Sequence, residues 1–144
     1  MDELKKITGG CLCGAVRYET TAAPLWTQYC HCESCRRHSG ATVVMFVGFP
    51  IDEVHWLGDE RVLYESSPDV FRGFCRKCGS SITYERVSGG KEMFEVHIGT
   101  LDAPDEFPPK THWYHNERIS WFDTTDHEVR LDADGKPYRY DPAV

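Results

Sequence analysis

The sequence predicts a mainly β fold in a single domain. Short runs of β-branched and aromatic residues recur along the chain, and only one stretch carries helix signals. A length of 144 residues suits one core, and no linker or low-complexity segment divides it. The domain is expected to fill residues 1–144, with its core at about 7–125.

The first strand run is "AVRYE" (15–19), followed by "TVVMFVGF" (42–49) and "RVLYES" (61–66). "SSITYE" (80–85) and "MFEVHIG" (93–99) follow, and "VSGG" (87–90) between them has hairpin-turn composition. "ESCRRHSG" (33–40) supports a turn or two of helix with Gly40 as its stop. Beyond residue 101, Pro104, Pro108 and Pro109 predict an irregular crossover before a last aromatic stretch, "THWYH…ISWFD". Trp113 and Trp121 are expected in the core, and His97 is expected to be a satisfied strand residue.

Composition narrows the function classes. The chain is 40% hydrophobic and 27% charged, with a net charge of −7 spread along its length. A general nucleic-acid binder needs a basic face, so nucleic acid is an unlikely partner; Arg36 and Arg37 are a small local exception. No apolar run of about 18 residues offers a membrane span. The N-terminus is polar, and no secretory signal is expected.

Seven cysteines is a high and odd count, and they fall in tight groups: Cys11-x-Cys13, Cys30-x-Cys32-x-x-Cys35 and Cys75-x-x-Cys78. Such spacing suits a metal better than disulfides, which neighbouring Cys-x-Cys bridges would strain. A reduced, cytoplasmic zinc protein is the expectation. "CLCGAVRYE" (11–19) and "CRKCGSSITYE" (75–85) share one plan: a cysteine pair, a glycine, then a strand ending Tyr-Glu. The glycine lets the backbone turn so that amide N–H groups point at sulfur. Two such knuckles face to face make a four-thiolate zinc site, which assigns Cys11, Cys13, Cys75 and Cys78 to one structural ion. The 61 residues between them make it a long-range staple.

Cys30, Cys32 and Cys35 are left, with no knuckle glycine after them. Three protein ligands and one exchangeable position is the arrangement of a catalytic zinc site. Three thiolates make a soft centre that favours a further thiol over water. His31 lies between two ligands and its side chain should diverge from theirs. His38, three residues beyond Cys35, is a stronger candidate for a fourth ligand. A different partition joins Cys32 and Cys35 to Cys75 and Cys78, but its 39-residue gap exceeds the usual zinc-ribbon spacing of about 15–20.

These groups, with "GGCLCGAVRYE" (9–19), "CHCESCRRHSGA" (30–41), "FCRKCGSSITYE" (74–85), "HIGTLD" (97–102) and "HWYHNERISWF" (112–122), resemble the glutathione-dependent formaldehyde-activating enzyme family, which includes centromere protein V. The resemblance implies a β-tent fold of small antiparallel sheets gathered around zinc. It implies two zinc ions per chain: Cys11, Cys13, Cys75 and Cys78 hold the structural one, and Cys30, Cys32 and Cys35 hold the catalytic one. The implied activity is that of a carbon–sulfur lyase, with reversible addition of glutathione to formaldehyde. Arg36, Arg37 and His38 are candidate substrate contacts, Arg36 and Arg37 through a carboxylate. Two other functions stay open: a non-catalytic zinc scaffold, and a thiol redox sensor using Cys30, Cys32 and Cys35.

Overall fold

A computed structural model describes residues 4–88, 90 and 92–139. Among the described residues, eleven strands build two sheets, accompanied by one short α-helix. Strands β1 (Ile7–Gly10), β2 (Val16–Thr20) and β5 (Val54–Gly58) form the smaller sheet, with β2 in the centre. The larger sheet uses β3 (Trp26–Cys30), β4 (Val44–Gly48), β6 (Val62–Ser67), β7 (Val70–Phe74), β8 (Ser81–Arg86), β9 (Met93–His97), β10 (Thr111–Trp113) and β11 (Val129–Arg130). Its order is β11-β10-β3-β4-β9-β8-β7-β6. Helix α1 (Glu33–Ser39) follows β3 directly.

The fold is mainly β, and each strand run read from the sequence overlaps an observed strand. The larger sheet has eight strands among the described residues and is mixed at one edge. There β10 pairs parallel with both β3 and β11, because the proline-containing crossover returns the chain in the direction of β3. The β8–β9 pair is antiparallel, as the hairpin reading requires. Gly89, at the tip of the expected turn, and Lys91 beyond it lie outside the described residues, as do 1–3 and 140–144 of the expected domain.

The main core lies between the small sheet and one face of the large one. Val16 and Tyr18 from β2 meet Val47 of β4 and Phe94 and Val96 of β9, closed by Ile98, Leu101 and Phe107. Trp121, expected in the core, is instead 75% exposed, because it sits in a turn between β10 and β11 and no strand carries it inward.

Strand alternation sends Phe46 to the opposite face from Val47. Directly opposed cross-strand residues share a face. Gln28 opposes Phe46, Phe46 opposes His97, Tyr84 opposes Glu95 and Arg72 opposes Tyr84. Since Glu95 and His97 lie two residues apart on β9 and so share a face, the second face of the large sheet carries Gln28, Phe46, His97, Glu95, Tyr84 and Arg72 together. Cys30, two residues beyond Gln28, joins the same face, and α1 carries Cys35 to it.

Candidate metal centres

The two knuckles close on each other. Cys11, Cys13, Cys75 and Cys78 present sulfurs that all lie within 4.8 Å of one another. Cys11 and Cys13 sulfurs are 3.6 Å apart, and Cys13 and Cys75 sulfurs 3.8 Å. A tetrahedral ion with metal–sulfur bonds of about 2.3 Å needs sulfurs roughly 3.8 Å apart, so the set fits zinc. The two knuckles use the same backbone bonds. Cys11 N–H donates to Val16 O and Cys75 N–H to Ser80 O, both at 3.0 Å, while Gly14 N–H and Gly79 N–H return to Cys11 O and Cys75 O. Gly14 at φ 80° and Gly79 at φ 75° make these turns, in the left-handed region open to glycine.

The turns aim N–H groups at sulfur, as the glycines suggested. Val16 N–H donates to Cys11 Sγ (3.3 Å) and Lys77 N–H to Cys75 Sγ (3.4 Å). Ser80, a residue the sequence reading passed over, donates to Cys78 Sγ (3.1 Å) and accepts from Leu12 N–H (3.0 Å), tying one knuckle to the other. Hydrogen bonds from the Ser80 side chain and backbone pull the Cys78 thiol down to about 5.

Cys30, Cys32 and Cys35 form a second sulfur set within 4.8 Å, two of them buried. Cys32 is the N-cap of α1 and its sulfur accepts from Cys35 N–H at 3.3 Å, which fixes the two sulfurs one helical turn apart. Cys30, at the end of β3, brings its sulfur 3.6 Å from that of Cys35. Hydrogen bonds from Cys30 and Cys35 pull Cys32 down to about 2, while the same contacts and burial push Cys30 far up. One thiol of the three ionises easily and resists ionisation of its neighbours. A bound cation is what lets all three be thiolates together.

Arg72 supplies part of that positive charge. Its Nη1 donates to Cys35 Sγ at 3.4 Å, its Nε donates to Ser66 at 3.0 Å, and its guanidinium lies 5.2 Å from the Tyr84 ring centre. Sequence reading missed Arg72, because one arginine in "VFRGF" carries no signal of what it faces. Tyr84 and Tyr114 pack against the sulfur cluster as well.

The remaining expected site residues fall around α1. His38 does not join the three-sulfur set; its ring lies 6.3 Å from that of His97. Arg36 donates to the main-chain oxygens of His31 (3.2 Å) and Glu117 (3.4 Å). Arg37 is largely exposed and pairs with Glu33 one turn back at 2.8 Å. His31 diverges from Cys30 and Cys32, as expected, and meets His112 and His115 in a third group.

No helix among the described residues is long and apolar enough to cross a membrane. A crystal structure of a Rhodobacter sphaeroides protein shares the fold, with a TM-score of 0.55 and 24% identity over 74% of this chain and 98% of that one. No curated protein matches the chain. The family described as glutathione-dependent formaldehyde-activating enzyme matches residues 6–117, a span that holds all seven cysteines, and the chain belongs to that family.

Proposed function

We propose that this chain reversibly adds a thiol, glutathione, to formaldehyde or a related small aldehyde, giving an S-hydroxymethyl adduct. In this reading it binds two zinc ions. Cys11, Cys13, Cys75 and Cys78 hold a structural one, and Cys30, Cys32 and Cys35 hold the other with one position open to substrate. Such thiolates must be kept reduced, which favours a cytoplasmic setting. The observation that carries the reading is the second sulfur set: three convergent sulfurs, no fourth protein ligand beside them among the described residues, and a buried cation, Arg72, donating to one of them.

Zinc held by Cys30, Cys32 and Cys35 would supply a soft Lewis-acidic centre that lowers the pKa of a thiol towards neutrality. The thiol sulfur then bonds to the aldehyde carbon, the carbonyl π bond breaks, and the thiol proton ends on the new hydroxyl. Nothing is oxidised or reduced, and the reverse reaction cleaves carbon–sulfur. Arg72 stabilises the negative charge of the sulfur cluster, and the Tyr84 and Tyr114 rings beside it keep water away. Of the three candidate substrate contacts, only Arg37 has a largely exposed side chain, Arg36 and His38 being half-buried. Arg37 borders an open depression of about 340 Å³ with Glu33, Arg36, Gly40, Ala41 and Thr42, and is assigned a substrate carboxylate that would compete with Glu33 for its guanidinium.

Cobalt-substituted protein tests this. Adding glutathione should raise the sulfur-to-cobalt absorption in the wild type and not in Cys32→Ser. The wild type should also speed exchange between free and formaldehyde-bound glutathione, followed by NMR. A cobalt spectrum indifferent to glutathione and to small thiols would overturn the enzyme reading and leave a zinc scaffold. A reversible disulfide formed with loss of metal would point to a redox sensor.

A further inference from the structure

We propose that His31, His112 and His115 form a separate metal site, ligated by nitrogen alone and suited to a first-row divalent cation such as zinc. The three imidazoles come from three segments. His31 follows β3, His112 sits in β10, and His115 opens a single 3₁₀ turn. All are at most 2% exposed, and each offers a ring nitrogen within 4.8 Å of the others. Buried imidazole is held neutral, and neutral imidazole is the form that binds metal.

The local backbone is bent to make this convergence. Tyr114, between His112 and His115, has φ 52° and ψ 35°, a left-handed conformation that costs a bulky residue energy. That reversal turns His115 back toward the ring of His112, and the two ring centres lie 5.4 Å apart. His31 Nε2 and His112 Nδ1 are 2.9 Å apart and share a hydrogen bond that a bound cation would replace. Tyr29 stacks on His112 at 4.3 Å and fixes its plane.

Two of the three outer nitrogens, those of His112 and His115, have the kind of partner that metal-bound histidines have. His112 Nε2 lies 3.1 Å from Asp126 Oδ1, and this carboxylate acceptor assigns the proton to Nε2 and leaves the Nδ1 lone pair inward. Asp126 also accepts from Arg130 at 2.8 Å, which pins the carboxylate. His115 Nδ1 meets the Tyr138 hydroxyl. His31 Nδ1, its outer nitrogen, is buried with no hydrogen-bond partner among the described residues.

Three imidazoles without a thiolate or carboxylate make a borderline donor set, which suits zinc, cobalt, nickel or copper rather than magnesium or calcium. Asp126 and Tyr138 lie beyond residue 117, where the family match ends. The site would therefore clamp this chain's C-terminal segment against the loop that carries Cys30, Cys32 and Cys35.

The test loads full-length protein with Zn²⁺, removes loose ions with a weak chelator, and counts metal per chain. His112→Phe, which keeps the stacking on Tyr29, and His115→Gln should each hold one equivalent less than the wild type. Asp126→Asn should keep the site but weaken it by about 10–100-fold. Because the difference from wild type is read, the result stands whether or not the thiolate sites load. Independently of any variant, ¹⁵N NMR of wild-type imidazoles should show one nitrogen from each of the three histidines shifting with Zn²⁺ and returning with chelator. Equal metal content in wild type and variants, or imidazole signals that Zn²⁺ does not move, would overturn the site.

Discussion

Arg72 Nη1 donates to Cys35 Sγ across 3.4 Å, joining β7 to the N-terminal turn of α1 through a sulfur. A buried cation at that distance makes a charge-assisted bond with a thiolate, and such bonds contribute about 1.5–3 kcal/mol.

Arg72→Met, which fills the same space without charge, should therefore weaken metal binding at Cys30, Cys32 and Cys35 by about 10–100-fold. Arg72→Lys should fall between, since it restores the charge but not the fork that also holds Ser66. Competition with a chromophoric chelator measures both. Unchanged affinity in Arg72→Met would make the arginine a packing residue only.

The two sulfur sets should respond differently to loss of a ligand. Cys75→Ser breaks a four-sulfur set whose members are 62 residues or more apart across the knuckles, and it should lose both metal and cooperative melting. Cys32→Ser removes a ligand that sits on one short helix and should lose about one metal while melting near the wild type. Thermal melts with metal analysis check the pair. Equal collapse of both variants would erase the division into structural and open sites.

Much of this was legible because it rests on local chemistry. Cysteine spacing and the glycine after each knuckle state a turn and a ligand pair within four residues. Alternating runs such as "SSITYE" state a strand. Contacts set by register were not legible. Arg72 meets Cys35 only because β7 pairs with β8, and β8 with β9 and then β4. His112 and His115 were read as part of an aromatic stretch, since nothing local says that β10 runs parallel to β3 and sets His112 opposite Tyr29. "VFRGF" hid a strand behind its glycine, which is there for a cross-strand reason: a Cβ on Gly73 would come 2.1 Å from Thr83 Oγ1.

Two glycines should accordingly behave differently. Gly79→Ala meets nothing within 4 Å and suffers only its left-handed φ of 75°, a cost of about 1–2 kcal/mol. Gly73→Ala has an ordinary φ but collides with Thr83 and with the Arg61 side chain, which should cost about 1–3 kcal/mol and loosen the β7–β8 pairing. Adding Thr83→Ala should recover much of the second loss and none of the first. Urea titrations of the three variants check this, and equal rescue would refute the steric account.

Glu95 predicts a pH dependence whose sign runs against the usual carboxylate. It is buried on β9, where its Oε1 accepts from Trp26 Nε1 (2.6 Å) and Gln28 Nε2 (2.5 Å). Burial is the main cause that raises it from 4.5 to about 7, against the pull of the Trp26 bond. The folded chain thus holds this proton more tightly than the unfolded chain does. Its contribution to stability is complete below about 4.5 and is lost as pH rises through about 7. Across that window the loss is roughly 3 kcal/mol. Glu95→Gln keeps an oxygen acceptor for both donors and has no proton to lose. It should match the wild type near pH 4.5 and be the more stable protein at pH 8. Denaturant unfolding of both proteins at several pH values measures the difference directly, and other titrating groups cancel because they are shared. Parallel stability curves across the window would show that Glu95 ionises at its ordinary value despite its burial.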